Sequence, residues 1–130
     1  LCRKDIANRF GVGDLGTTFG GGPVAAGAIV AVLDTIESEG LLQNVRDREA
    51  QIRSSCVVGP VENIQGMGLL LGRVCKQPAT AVRDALLEHG ILAGTSADPH
   101  VLRILAPLVI TAEHVEKLAA ALASITCEQE

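Results

Sequence analysis

Two threonines stand side by side in the chain's densest glycine stretch, FGVGDLGTTFGGG at residues 10–22, which holds six of its fourteen glycines. Thr17 and Thr18 supply hydroxyls, and the glycines let backbone N–H groups come close to an anion. Pro23 follows at the first position of a predicted helix, so a helix N-terminus opens onto the same loop. Hydroxyls, bare backbone and a helix N-terminus together are the chemistry of phosphate binding. The plainer alternative is a glycine-rich connector whose threonines only satisfy the loop's own backbone. The residues alone leave both open.

GVGDLG, at 11–16, also matches the dinucleotide fingerprint G-x-G-x-x-G. That motif needs a buried strand before it and a helix starting inside it. Here KDIANRF precedes it and the helix waits until Pro23, so a nucleotide fold is not expected. No Gly-Lys-Ser/Thr follows, which also excludes a phosphate-binding P-loop of that kind.

Arg103 is the second candidate. It is a charge inside the apolar run VLRILAPLVI, 101–110. Its guanidinium fork suits a planar carboxylate; the alternative is a solvated outward face of an edge strand. The other reactive side chains do not group. Cys2, Cys56, Cys75 and Cys127 form no C-x-x-C and sit near no His at ligand spacing, so free thiols in a reducing cytosol are expected and no metal site. His89, His100 and His114 are expected on the surface or at caps. Asp14 and Asp98 fall in loops, where they could assist binding. No Ser-His-Asp set stands out.

The elements that must position these residues can be read from periodicity. Residues 3–9 read as the end of a helix or a polar approach. The helix from Pro23 carries Ala25, Ile29, Val32, Leu33 and Ile36 on one face, and Gly40 closes or kinks it. A second helix turns Leu41, Leu42, Val45 and Ile52 inward and RDRE, 46–49, to solvent. Strands are expected at 61–65 and 69–75 around Gly66-Met67-Gly68. Another helix starts at Pro78, with Val82, Ala85 and Leu86 inward and Gly90 as its stop. Strands at 91–95 and 101–105 follow. Thr111 N-caps a last helix with the stripe Val115, Leu118, Ala119, Leu122 and Ile125. This order predicts a two-layer α+β sandwich: one small mixed or antiparallel sheet with helices on a face.

Bulk composition narrows the function. At 130 residues the chain is one domain's worth, with 48% hydrophobic residues and a net charge of −4. Only two aromatics and no basic run argue against nucleic acid as a partner. No apolar stretch is long enough for a membrane helix. The chain begins without Met and its single Met is Met67, so it is expected to be a piece of something longer.

Three segments, in order, resemble one family. GDLGTTFGGGPVAAGAIVAVLDTIESEGLLQNV (13–45) resembles the G-D-H-G-T-T-F-G-G-N-P segment and following helix of the class III, fold-type I aminotransferases. VENIQGMGLLLG (61–72) is similar to the family's V-x-x-x-R-G-x-G-L-M-x-G, and VLRILAPLVITAEHVEKL (101–118) to its V-L-R-L-L-P-P-L-x-I-T. The acetylornithine aminotransferases among them are most alike.

The resemblance implies an enzyme that uses pyridoxal 5′-phosphate (PLP). It implies amino-group transfer from N-acetylornithine or a related ω-amino substrate to 2-oxoglutarate, in arginine biosynthesis. A cytoplasmic homodimer is implied too. Thr18, with Thr17 beside it, would bind the cofactor phosphate across the dimer interface, and Arg103 a substrate carboxylate. Residues 1–22 would be carried over from the large domain, and 23–130 would be the small C-terminal domain. The family's Schiff-base lysine has no counterpart: Lys4, Lys76 and Lys117 all lie in other contexts. The chain alone is therefore expected to be inactive, with loop 10–22 and the first helix left uncovered. It departs from the family pattern at Leu15 (His), Gly22 (Asn), Gln65 (Arg) and Ala106 (Pro). A stand-alone anion-binding or assembly module, and an ornithine or γ-aminobutyrate aminotransferase, are the alternatives.

Overall fold

The computed structural model describes residues 3–126, which divide into two compact units between Thr35 and Ile36. Cys2 and Cys127 lie outside the described residues.

In the first unit, a short helix α1 (Lys4–Ala7) leads into the glycine loop, and α2 (Pro23–Ser38) starts at the predicted proline. GVGDLG is a tight turn. The Asp14 carboxylate accepts the Gly11 N–H at 2.8 Å, and Gly13 takes a positive φ of 96°. The predicted stripe on α2 is present as a pattern but not as a core. No residue of α2 is buried, and Val24, Ile29, Val32 and Leu33 are all more than half exposed. An amphipathic pattern specifies which face will bury, not that a partner layer is present.

The second unit carries the core. Helices α3 (Leu41–Ser55), α4 (Ala79–Glu88) and α5 (Ala112–Ser124) accompany a four-stranded sheet of order β1-β2-β4-β3. Its strands are β1 (Val61–Met67), β2 (Leu70–Cys75), β3 (Gly94–Thr95) and β4 (Val101–Leu105), and every pairing is antiparallel. Ile64, Leu71 and Leu102 from the strands pack with Ile52, Val82, Leu86, Val115, Leu118 and Leu122 from the helices. Each fully buried aliphatic side chain contributes about 1.5–3 kcal/mol. The α+β reading holds, with the sheet wholly antiparallel.

Several boundaries differ from expectation for identifiable reasons. Pairing runs on through Met67↔Leu70, so β1 includes Gly66 and Met67 and the hairpin turns at Gly68-Leu69. Gly68 holds the positive φ, 59°, that a two-residue hairpin turn favours. Residues 91–93 are not strand, because the Ile91 N–H caps α4 by donating to the Leu86 carbonyl at 3.0 Å. Leu42 points outward, 59% exposed, while Leu41 and Ile52 are buried. Thr111 does N-cap α5: its Oγ1 accepts the His114 N–H, and His114 Nδ1 accepts the Thr111 N–H at 3.1 Å.

One core residue went unnoticed in the sequence. Arg73 is 1% exposed, on the helix-covered face of β2 between Leu71 and Cys75. Among the described residues, its Nε and Nη1 have no hydrogen-bond partner. Burial pulls its pKa below the ordinary arginine range, while the Cys56 and Cys75 thiols act in the opposite sense. The same desolvation pushes the Cys56 thiol up.

Candidate functional site

The two candidate groups lie in different units. In the first, Thr17 and Thr18 are exposed at the end of the loop that feeds α2. None of the side-chain hydrogen bonds among the described residues engages either hydroxyl. Gly20 shapes the loop around Thr17: a Cβ there would collide with the Thr17 methyl and stand 3.3 Å from its Oγ1. Glycine is thus what lets the chain fold back beside that hydroxyl. The first turn of α2 holds no acidic side chain, so nothing on the helix opposes an anion at its N-terminus. Two free hydroxyls, glycine backbone and a 16-residue helix N-terminus fit a phosphate group. Asp14 is not part of this set, since its carboxylate closes the preceding turn.

In the second unit, Arg103 lies on the sheet face opposite the helices. The register builds one row across all four strands: Gln65↔Gly72, Gly72↔Arg103 and Arg103↔Gly94. Arg103 therefore has a glycine on each neighbouring strand. A Cβ at Gly94 would touch its Nη2 at 3.7 Å and Nε at 3.8 Å, so the guanidinium lies over the bare backbone of β3. The far side of the row is occupied by Gln65, whose Cγ and Nε2 would each be 3.3 Å from a Cβ at Gly72. Arg103 takes part in none of the ion pairs or side-chain hydrogen bonds among the described residues. The adjacent row is apolar and exposed: Met67, Leu70 and Leu105. The face thus offers one guanidinium, unpaired and spread on glycine, next to an aliphatic strip. β4 is an inner strand between β2 and β3, not an edge, and Arg103 is exposed on its outward face.

The remaining sequence candidates serve local structure. Asp98 Oδ1 accepts the His100 backbone N–H at 2.9 Å, and His114 belongs to the α5 cap.

A family model described as aminotransferase class III matches residues 1–126. The acetylornithine aminotransferase of Corynebacterium efficiens is 37% identical over 129 residues, covering 98% of this chain and 32% of that protein. Its Streptomyces coelicolor namesake is 43% identical over 117 residues, 87% of this chain and 29% of that protein. Among solved structures, acetylornithine aminotransferase from Elizabethkingia anophelis superposes with a TM-score of 0.75 at 26% identity, over 95% of this chain and 34% of that one. Ornithine aminotransferase from Toxoplasma gondii gives 0.73 at 28%, over 92% and 30%. The chain spans about a third of the length of these relatives. The family match covers nearly all of its residues, and the chain belongs to the class III aminotransferase family.

Proposed function

We propose that this chain is the C-terminal portion of an acetylornithine-type aminotransferase. The parent moves an amino group from N-acetylornithine, or a related ω-amino substrate, to 2-oxoglutarate. The observation that carries the reading is Arg103: an unpaired guanidinium on an open sheet face, flanked on both strands by glycine. A carboxylate is the planar partner that such a fork takes in two parallel hydrogen bonds. Thr17 and Thr18, with the N-terminus of α2, would hold the phosphate of PLP. When bound, PLP would supply the electron sink that loosens the hydrogen on the carbon bearing the transferred amino group. This chain's residues bind and orient; the group that carries the proton is absent, since no lysine stands in the family's context. The chain alone does not transaminate.

In this reading residues 1–22 belong with the large domain, 23–130 form the small domain, and Thr18 reaches the cofactor of the partner subunit in a cytoplasmic homodimer. Support comes from the family match across 1–126 and from the free hydroxyls of the loop.

The test is the intact mass of the protein as its source cell makes it, after borohydride reduction with PLP present. A pyridoxyl adduct on a chain well above 13.5 kDa supports the proposal. A 13.5 kDa chain without adduct overturns it in favour of a stand-alone binding module. Relative turnover of N-acetylornithine and ornithine by the adduct-bearing protein then separates the two substrate readings.

A further inference from the structure

The helix side of the second unit contains a cleft of about 860 Å³, away from the face that carries Arg103. It lies between the loop after β2, α4, the start of β4 and the end of α5. Its volume falls in the range of small-molecule sites. Ala81 and Ala85, one turn apart on α4, give it a floor of methyl groups.

Its walls are donors. Lys76 projects from the loop after β2 and joins none of the ion pairs among the described residues. His100 Nδ1 lies 3.2 Å from the Cys75 carbonyl, which can only accept, so Nδ1 carries the proton and Nε2 is left over. Ser124 Oγ spends its one hydrogen on the Ala121 carbonyl at 2.8 Å. Toward His89 it must therefore accept, which puts the proton on His89 Nε2, 3.3 Å away, and leaves Nδ1 over. Each imidazole thus has one ring nitrogen with no assigned task. Protonation gives each a new N–H donor and a positive charge. Gln77 and Thr126 add an amide and a hydroxyl.

Among the described residues the opposing charge is small, and Glu88 is the one carboxylate lining the cleft. On α4, Arg83 and Asp84 pair with each other at 2.7 Å. Asp98 is engaged with the His100 backbone, and the charged residues of α5, Glu113, Glu116 and Lys117, do not line the cleft. Within the described lining, the Lys76 ammonium and two imidazoles thus face the single carboxylate of Glu88.

We propose that this cleft binds a compact dianion, a phosphate monoester or a dicarboxylate, on Lys76, His89 and His100. The inference is independent of the aminotransferase reading, because it uses neither Arg103 nor the threonine loop.

The chain has three histidines, two in the cleft and one, His114, in the α5 cap. Imidazole proton NMR of the full chain therefore has an internal control. Spectra would be recorded at a fixed pH of about 6.5 as chloride is replaced by sulfate (a tetrahedral dianion) or by succinate, at matched ionic strength. The expected result is that the His89 and His100 resonances move saturably while that of His114 does not. Lys76→Gln should raise the half-saturating concentration at least about twofold. A response to sulfate alone assigns phosphate chemistry, and a response to succinate alone assigns a dicarboxylate. No saturable movement, equal movement of all three histidines, or a half-saturating concentration unchanged in Lys76→Gln would overturn the proposal. An unaltered His114 resonance in the variant shows that the fold is intact.

Discussion

Arg103 and Arg73 are both charges inserted into apolar strand sequences, and the structure sends them to opposite faces. Arg103 sits on the open face with glycine on either side. On the proposed carboxylate-binding role, replacing it by Lys in the whole protein would swap a two-pronged fork for a single ammonium. The loss in kcat/KM that this proposal predicts for a 2-oxo acid is about 10- to 100-fold, or roughly 1.4–2.7 kcal/mol, with no loss of folding. Steady-state kinetics against a circular dichroism control would check it. Arg73 faces the core with two nitrogens that find no partner among the described residues. Arg73→Met should raise stability by about 1–4 kcal/mol in urea unfolding, since a buried charge gives way to a packed thioether. Arg103 was legible because a lone charge among apolar residues attracts attention. Arg73 carried the same signal in LLLGRVC: alternation places it with Leu71 and Cys75, the buried set. What no alternation reveals is which face helices will cover.

At the scale of elements, α3 clamps the β1–β2 hairpin. Arg53 donates to the Ile64 and Gly66 carbonyls at 3.0 and 2.7 Å and pairs with Glu49 at 2.8 Å. Glu49 in turn accepts the Gly68 N–H at the turn, 2.8 Å. The Arg53 guanidinium, then that N–H, hold the Glu49 carboxyl below its ordinary value of 4.5. A depressed carboxylate stabilises the fold above its unfolded pKa, and this contribution is lost as pH falls through the folded value. Melting temperature should therefore drop as pH is lowered from about 5, and Glu49→Gln should flatten that part of the profile. Thermal melts of both proteins across pH 3–7 would show it. The hairpin itself was readable from its glycines, and α4 and α5 from their stripes and from Thr111. The shortfall at 91–93 was not readable, because a helix cap took the Ile91 N–H that a ladder would have used.

At the scale of the whole molecule, the apolar side chains divide unevenly. The second unit encloses an aliphatic core, whereas Phe19, Val24, Ile29, Val32 and Leu33 of the first remain largely exposed. The isolated chain should self-associate through this surface. Light scattering after gel filtration should show mass rising with concentration, and Phe19→Ser with Leu33→Lys should restore a monomer; a wild-type chain that stays monomeric at all concentrations would refute this. The stripe on α2 was legible as a pattern, and its cover was not, because cover is a property of what packs against a helix. That bare helix also sets a clock. Sixteen residues with nothing buried hold helical structure only weakly, so the α2 amide protons should trade with deuterium in moments. Those of β2, hydrogen-bonded on both sides at the centre of the sheet, must wait for the second unit to unfold as a whole.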